Sequence, residues 1–134
     1  MTIRSSALRW LAATHGVRDA DIFTSKLYAP AQSWTGRAAW WVQTPVHRIR
    51  AVADRAMHVV CEARPGGRDF HYLRVPASYL REHLADLDAP GDGQAVSLFL
   101  SAEPDARFRD ERGPAGVDFA PFAVGAPPAP AGGR

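Results

Sequence analysis

The sequence predicts an α+β domain: a small mixed or mostly antiparallel sheet of about four strands around a central β-hairpin, with two to four short helices packed mainly on one face. Three observations carry that expectation. The stretch 57–75, MHVVCEARPGGRDFHYLRV, holds two runs of strand-forming residues on either side of Gly66-Gly67, a pair suited to a two-residue turn. The run 95–101, AVSLFLS, is relieved only by serines and belongs centrally in a sheet, with both faces covered. The other apolar periodicities are helical, short, and bounded by Gly or Pro.

In chain order, Ser5 or Ser6 caps a helix over 7–15, with Leu8, Trp10 and Leu11 as its apolar stripe and Gly16 as its stop. Residues 18–31 carry helical spacing at Ile22, Phe23, Leu27 and Tyr28, with Asp19 or Asp21 as cap and Pro30 as terminator. After a turn at Ser33–Gly36, a strand over 38–43 puts Trp40 and Val42 on one face and Trp41 and Gln43 on the other. At most one of these tryptophans enters the main core unless both faces are covered. Thr44-Pro45 reads as the N-cap and first residue of a helix that runs to Arg55. That helix buries Val46, Ile49, Val52 and Ala53 and turns His47, Arg48, Arg50 and Arg55 outward.

With Gly66-Gly67 as the whole loop, Cys61 faces Tyr72, Glu62 faces His71 and Arg64 faces Asp69. Met57, Val59, Cys61, Ala63, Phe70 and Tyr72 then share the core face, and Cys61 is a buried, inert thiol. Glu62–His71 and Arg64–Asp69 become opposite-charge neighbours, each contributing ~0.2–1 kcal/mol. Val75-Pro76 bends into a helix over 77–87 that buries Leu80, Leu84 and Leu87 and leaves His83 in water. A loop over 88–93 leads to the strand 95–101. Phe108 anchors the broken, charged segment 103–116, and Val117, Phe119 and Phe122 clasp the body. Residues 1–122 form one globular domain, and 123–134, rich in Pro, Ala and Gly, form a disordered tail.

Composition bounds the function. At 134 residues, 46% hydrophobic and 22% charged, the chain is an ordinary globular domain. The sixteen basic residues are all Arg except Lys26, and the net charge is only +2. A composition rich in Arg and Ala and poor in Lys also fits a bacterial, GC-rich genome. One cysteine excludes an internal disulfide and a cysteine-based zinc site. The first residues lack the apolar core of a signal peptide, and no run reaches membrane-spanning length. A soluble, cytoplasmic protein with no membrane partner is expected; the sequence does not fix its oligomeric state.

No phosphate-cradling loop, nucleophile elbow or metal-ligand spacing is present, and no cofactor or metal is expected. His58 and His71 fall four ladder steps apart in this register, ~13 Å, too far to share a metal. The favoured reading is a non-enzymatic binding or accessory protein contacting nucleic acid. Arg48, Arg50, Arg55, Arg64 and Arg68 supply the charge and Trp41 the stacking platform, with Trp34 and Tyr79 as further flat contacts. Protein–protein recognition uses the same residue types and is the first alternative. The second is a nucleic-acid-processing hydrolase, with Glu62–His71 as an acid/base pair joined by carboxylates from Glu103, Asp105 and Asp110.

Overall fold

Among the described residues, five strands form two small sheets instead of one. A computed structural model describes residues 3–18, 21–33, 35–51, 56–89, 92–113 and 115–125, and the fold is α+β. Its elements are α1 (Ile3–His15), β1 (Ile22–Ser25), β2 (Ala39–Pro45), α2 (Val46–Ala51), β3 (Ala56–Glu62), β4 (Phe70–Pro76), α3 (Ala77–Glu82) and β5 (Ala95–Ser101). The first sheet is mixed: β1 runs parallel to β3, and β3 antiparallel to β4. The second is the antiparallel pair β2–β5. No helix among the described residues is long and apolar enough to cross a membrane.

The sheets meet where β1 passes β2. Tyr28 and Ala39 exchange backbone hydrogen bonds of 2.9 and 3.1 Å, the Trp41 amide donates to Ser25 Oγ at 3.0 Å, and Trp40 Nε1 donates to the Glu62 carbonyl at 2.8 Å. The main core fills the space so enclosed, with Trp40, Val42, Leu98 and Leu100 from the second sheet against Met57, Val59, Leu73 and Val75 from the first. Leu80 of α3 and Ile49 of α2 belong to it. A second, smaller core lies on the opposite side of β3–β4, where Ala7 and Leu11 of α1 meet Val60, Phe70 and Tyr72. Helices thus lie on both sides of the first sheet, α2 and α3 on the main-core side and α1 on the other.

The hairpin register differs by one residue from the sequence expectation. Cys61 pairs with His71 and Glu62 with Phe70, and Arg64–Asp69 forms an ion pair rather than a ladder pair. The tight turn is Arg64–Gly67, closed by a 2.9 Å bond from the Gly67 amide to the Arg64 carbonyl. Pro65 fixes φ at its second position, and Gly66 takes φ 69° at its third. That Pro-Gly chemistry outcompetes Gly66-Gly67, and the wider loop ends with the Ala63 amide on the Asp69 carbonyl at 3.0 Å. A one-residue slip reverses the partner strand, so Phe70 and Tyr72 turn toward α1 while Leu73 and Val75 enter the main core. Cys61 stays buried because both faces of β3 are covered, and burial pushes its thiol pKa far up.

Two further local expectations are overturned. Residues 22–25 are a strand, since parallel pairing with β3 satisfies their backbone and overrides the helical spacing. Thr44 and Pro45 end β2 opposite Val96 and Ala95 instead of starting a helix, and α2 begins at Val46, whose amide donates to the Gln94 carbonyl. The rest of that helix, 52–55, lies outside the described residues. Residues 123–125, read from the sequence as the start of a loose tail, lie along β4: the Val124 amide donates to the Tyr72 carbonyl at 2.8 Å. Residues 126–134 lie outside the described residues.

β5 is buried on both faces although its sheet has two strands. The irregular segment after it covers the free edge: Phe108 and Glu111 donate to the carbonyls of Ser101 and Phe99, and Asp110 Oδ1 accepts the Phe99 amide at 2.9 Å. This segment closes tightly only because residue 113 is glycine. A Cβ there would run into the Asp86 carbonyl and Asp110 Oδ2.

Candidate nucleic-acid interface

β2 alternates, so its adjacent tryptophans part company. Trp40 is 1% exposed in the main core, and Trp41 is 42% exposed on the other face, the one large hydrophobic residue so exposed among those described. Trp41 pairs across the ladder with Phe99, which is buried beside it on the same face. Tyr28, Gln32, Ser33 and Arg112 complete a groove of about 360 Å³ around the indole. Lys26 Nζ sits 4.9 Å from the centre of the Tyr28 ring at this edge of the sheet. The groove thus combines flat rings with cationic groups.

Its arginine is not an open charge. Arg112 Nε lies 3.0 Å from Asp88 Oδ2, and Arg37 reaches Asp105 at 3.2 Å and Glu111, the residue before Arg112, at 3.7 Å. The sequence signal for the groove was the pairing of two strands already recognised, 38–43 with 95–101, which sets Trp41 against Phe99. Tyr28 and Arg112 come from irregular segments, where no periodicity marks a face.

The structure does not bring the predicted arginines together. Arg48, on α2, pairs with Asp21 at the start of β1, next to His58 on β3. Arg64 and Arg68 lie in the hairpin turn at the far end of β3, six residues on from His58, roughly 20 Å at ~3.3 Å per residue. Arg64 is engaged by Asp69, while Arg50 and Arg68 are exposed. Arg55 and Trp34 lie outside the described residues. Of the described residues assigned to one surface, Trp41 alone lies in the groove.

The carboxylates considered for catalysis are separately occupied. Glu62 accepts the amides of Leu27 and Gly66, Glu103 that of Ala38, and Asp110 those of Phe99 and Gly113. Burial raises the Asp110 pKa, and its backbone donors counter part of that rise. Glu62 and His71 do not pair: the true register puts them on opposite faces of the hairpin. His71 instead meets Trp40 and Phe108 edge-on, and burial together with the nearby Arg107 charge lowers its pKa to about 4. Among the described residues no three of His, Cys, Asp and Glu gather as metal donors. Compared with family models, curated proteins and solved structures, the chain finds no match.

Proposed function

We propose that the protein is a non-enzymatic binding protein of the bacterial cytoplasm that takes single-stranded nucleic acid on the Trp41 groove, by stacking more than by charge. The observation that carries this reading is the exposed indole, flanked by Phe99 and Tyr28. A base laid on such a ring gains ~1–3 kcal/mol whatever its identity. The arginines at the two ends of β3 fall outside the contact, and those near the groove already hold carboxylates.

Fluorescence anisotropy with a labelled oligonucleotide at several salt concentrations tests the proposal. Binding to single strands should show a shallow salt dependence, a log–log slope of ~0.7 for each phosphate contacted. Trp41→Ala should cost ~1–3 kcal/mol and leave the slope unchanged. Absence of binding at low salt would sink the nucleic-acid reading. The second reading, a protein partner anchored on Trp41, would then take its place; the neutralised Arg37 and Arg112 favour it, because a phosphate-tracking groove gains from open charges.

A further inference from the structure

We propose that the cleft between α1, β4 and residues 120–125 binds a small flat monoanion: an aromatic ring bearing one carboxylate, held by Arg107. The cleft has a volume of about 480 Å³, within the range that ordinary small-molecule sites occupy. Its walls are rings. Trp10 lies 5.6 Å from Phe70 and His15 4.8 Å from Tyr72, centre to centre, so α1 and β4 present two ring pairs to the space between them. Phe108 lies across from them on the C-terminal segment. Such walls select a thin apolar body and offer little to a flexible polar one.

Arg107 lines this space beside Asp69 and His15. Arg107 Nε is buried and has no hydrogen-bond partner. A buried N–H left unanswered is costly, and each such group in a folded protein asks for an explanation. Of the acids nearby, Asp69 is taken up by Arg64 at the rim. His71 is neutral near pH 7, its pKa lowered to about 4 by burial and by Arg107 itself. Arg107 thus brings a planar cationic fork that matches a carboxylate. A phosphate dianion would leave negative charge unanswered among the rings.

The backbone supports the same place. Phe108 takes φ 68°, the only positive φ among the described residues other than glycine. A phenylalanine there is strained, and strained residues cluster at ligand sites. That conformation stacks its ring on Trp40 at 5.3 Å, next to the residue that supplies the charge.

Naphthoate, its neutral amide naphthamide, and naphthyl phosphate are suitable probes for the full chain, followed by nitrogen–proton correlation NMR. Naphthoate should shift the Arg107 Nε–H signal and the Tyr72 and Val124 amides, and naphthamide should bind about tenfold or more weakly. Arg107→Gln, with its spectrum otherwise intact, should abolish that preference, and Trp41→Ala should leave it unchanged. The wild-type contrast between acid and amide stands alone should the Arg107 variant not fold. No shift by about 1 mM naphthoate, equal binding of acid and amide, or retained preference in Arg107→Gln overturns the site. Tighter binding of naphthyl phosphate overturns its assignment to a monoanion.

Discussion

The Gly66 amide donates to Glu62 Oε2 at 3.0 Å, across the mouth of the hairpin turn. The other oxygen of the same buried carboxylate accepts the Leu27 amide at 2.8 Å, and the Glu62 carbonyl accepts Trp40 Nε1. One residue thus ties the turn, the segment leaving β1 and the main-core indole together. Hydrogen bonds to a charged group contribute ~1.5–3 kcal/mol each, and an orphaned buried donor costs a similar amount. Glu62→Ala should therefore destabilise by ~3 kcal/mol in denaturant melts, with Glu62→Gln, which keeps one acceptor, losing about half as much. A loss below ~1 kcal/mol, as at ordinary surface positions, would mean that the carboxylate does not hold the turn.

His71 makes stability depend on pH in a defined direction. Its folded pKa is about 4, against an ordinary histidine value of about 6.5, because burial and Arg107 both oppose the charged ring. Above pH 6.5 both states are neutral and the contribution is fully present. As pH falls from 6.5 toward 4, the unfolded chain takes up a proton that the folded chain refuses, and stability drops by ~2 kcal/mol. His58, also lowered by burial, acts in the same sense, and Asp110, raised by burial, in the opposite one. The comparison that isolates His71 is wild type against His71→Gln, whose urea-melt stability should fall less over this interval. Parallel pH curves for the two proteins would contradict the buried, neutral ring.

The C-terminal boundary can be cut in two places. Truncation after Phe122 removes the Val124 amide from Tyr72 and the Val124 side chain from the second core. It should lower the melting midpoint by several degrees, corresponding to ~1 kcal/mol. Truncation after Gly125 removes only Ala, Pro, Gly and the terminal Arg134, with no large apolar side chain to bury, and should leave the midpoint unchanged. Equal midpoints for both truncations would show that residues 123–125 add nothing to the fold.

How far the sequence could be read follows from how local each signal was. The apolar runs 38–43 and 95–101 marked β2 and β5, and the two-residue period of a single strand separated Trp40 from Trp41. The α+β class followed from the same signals. The hairpin existed where expected, but its register hung on which glycine takes the positive φ, and Pro65 decides that in favour of Gly66. β1 was missed because a four-residue parallel strand is stabilised by β3, more than thirty residues away, and carries no alternation of its own. The described arginines lie apart for a related reason. Charge spacing along the chain says nothing about whether two elements lie at the same end of a sheet, and here β3 separates them.

Arg48 shows what becomes of a residue assigned to a binding surface once its partner is known. Its guanidinium pairs with Asp21, whose side chain is only 5% exposed while that of Arg48 is 53% exposed. The carboxylate sits beside β1 and the His58 amide donates to the Asp21 carbonyl at 2.8 Å, so the pair pins the start of the parallel ladder. Half-exposure of the arginine screens the interaction, and Arg48→Ala should cost ~1 kcal/mol in stability. In a double-mutant cycle with Asp21→Asn, most of that cost should disappear, since the second change removes the charge that Arg48 answers. Oligonucleotide affinity at matched salt should stay at the wild-type value in Arg48→Ala, in contrast to Trp41→Ala. Weaker binding with undiminished stability would return Arg48 to the nucleic-acid contact and move the interface from the Trp41 groove to α2.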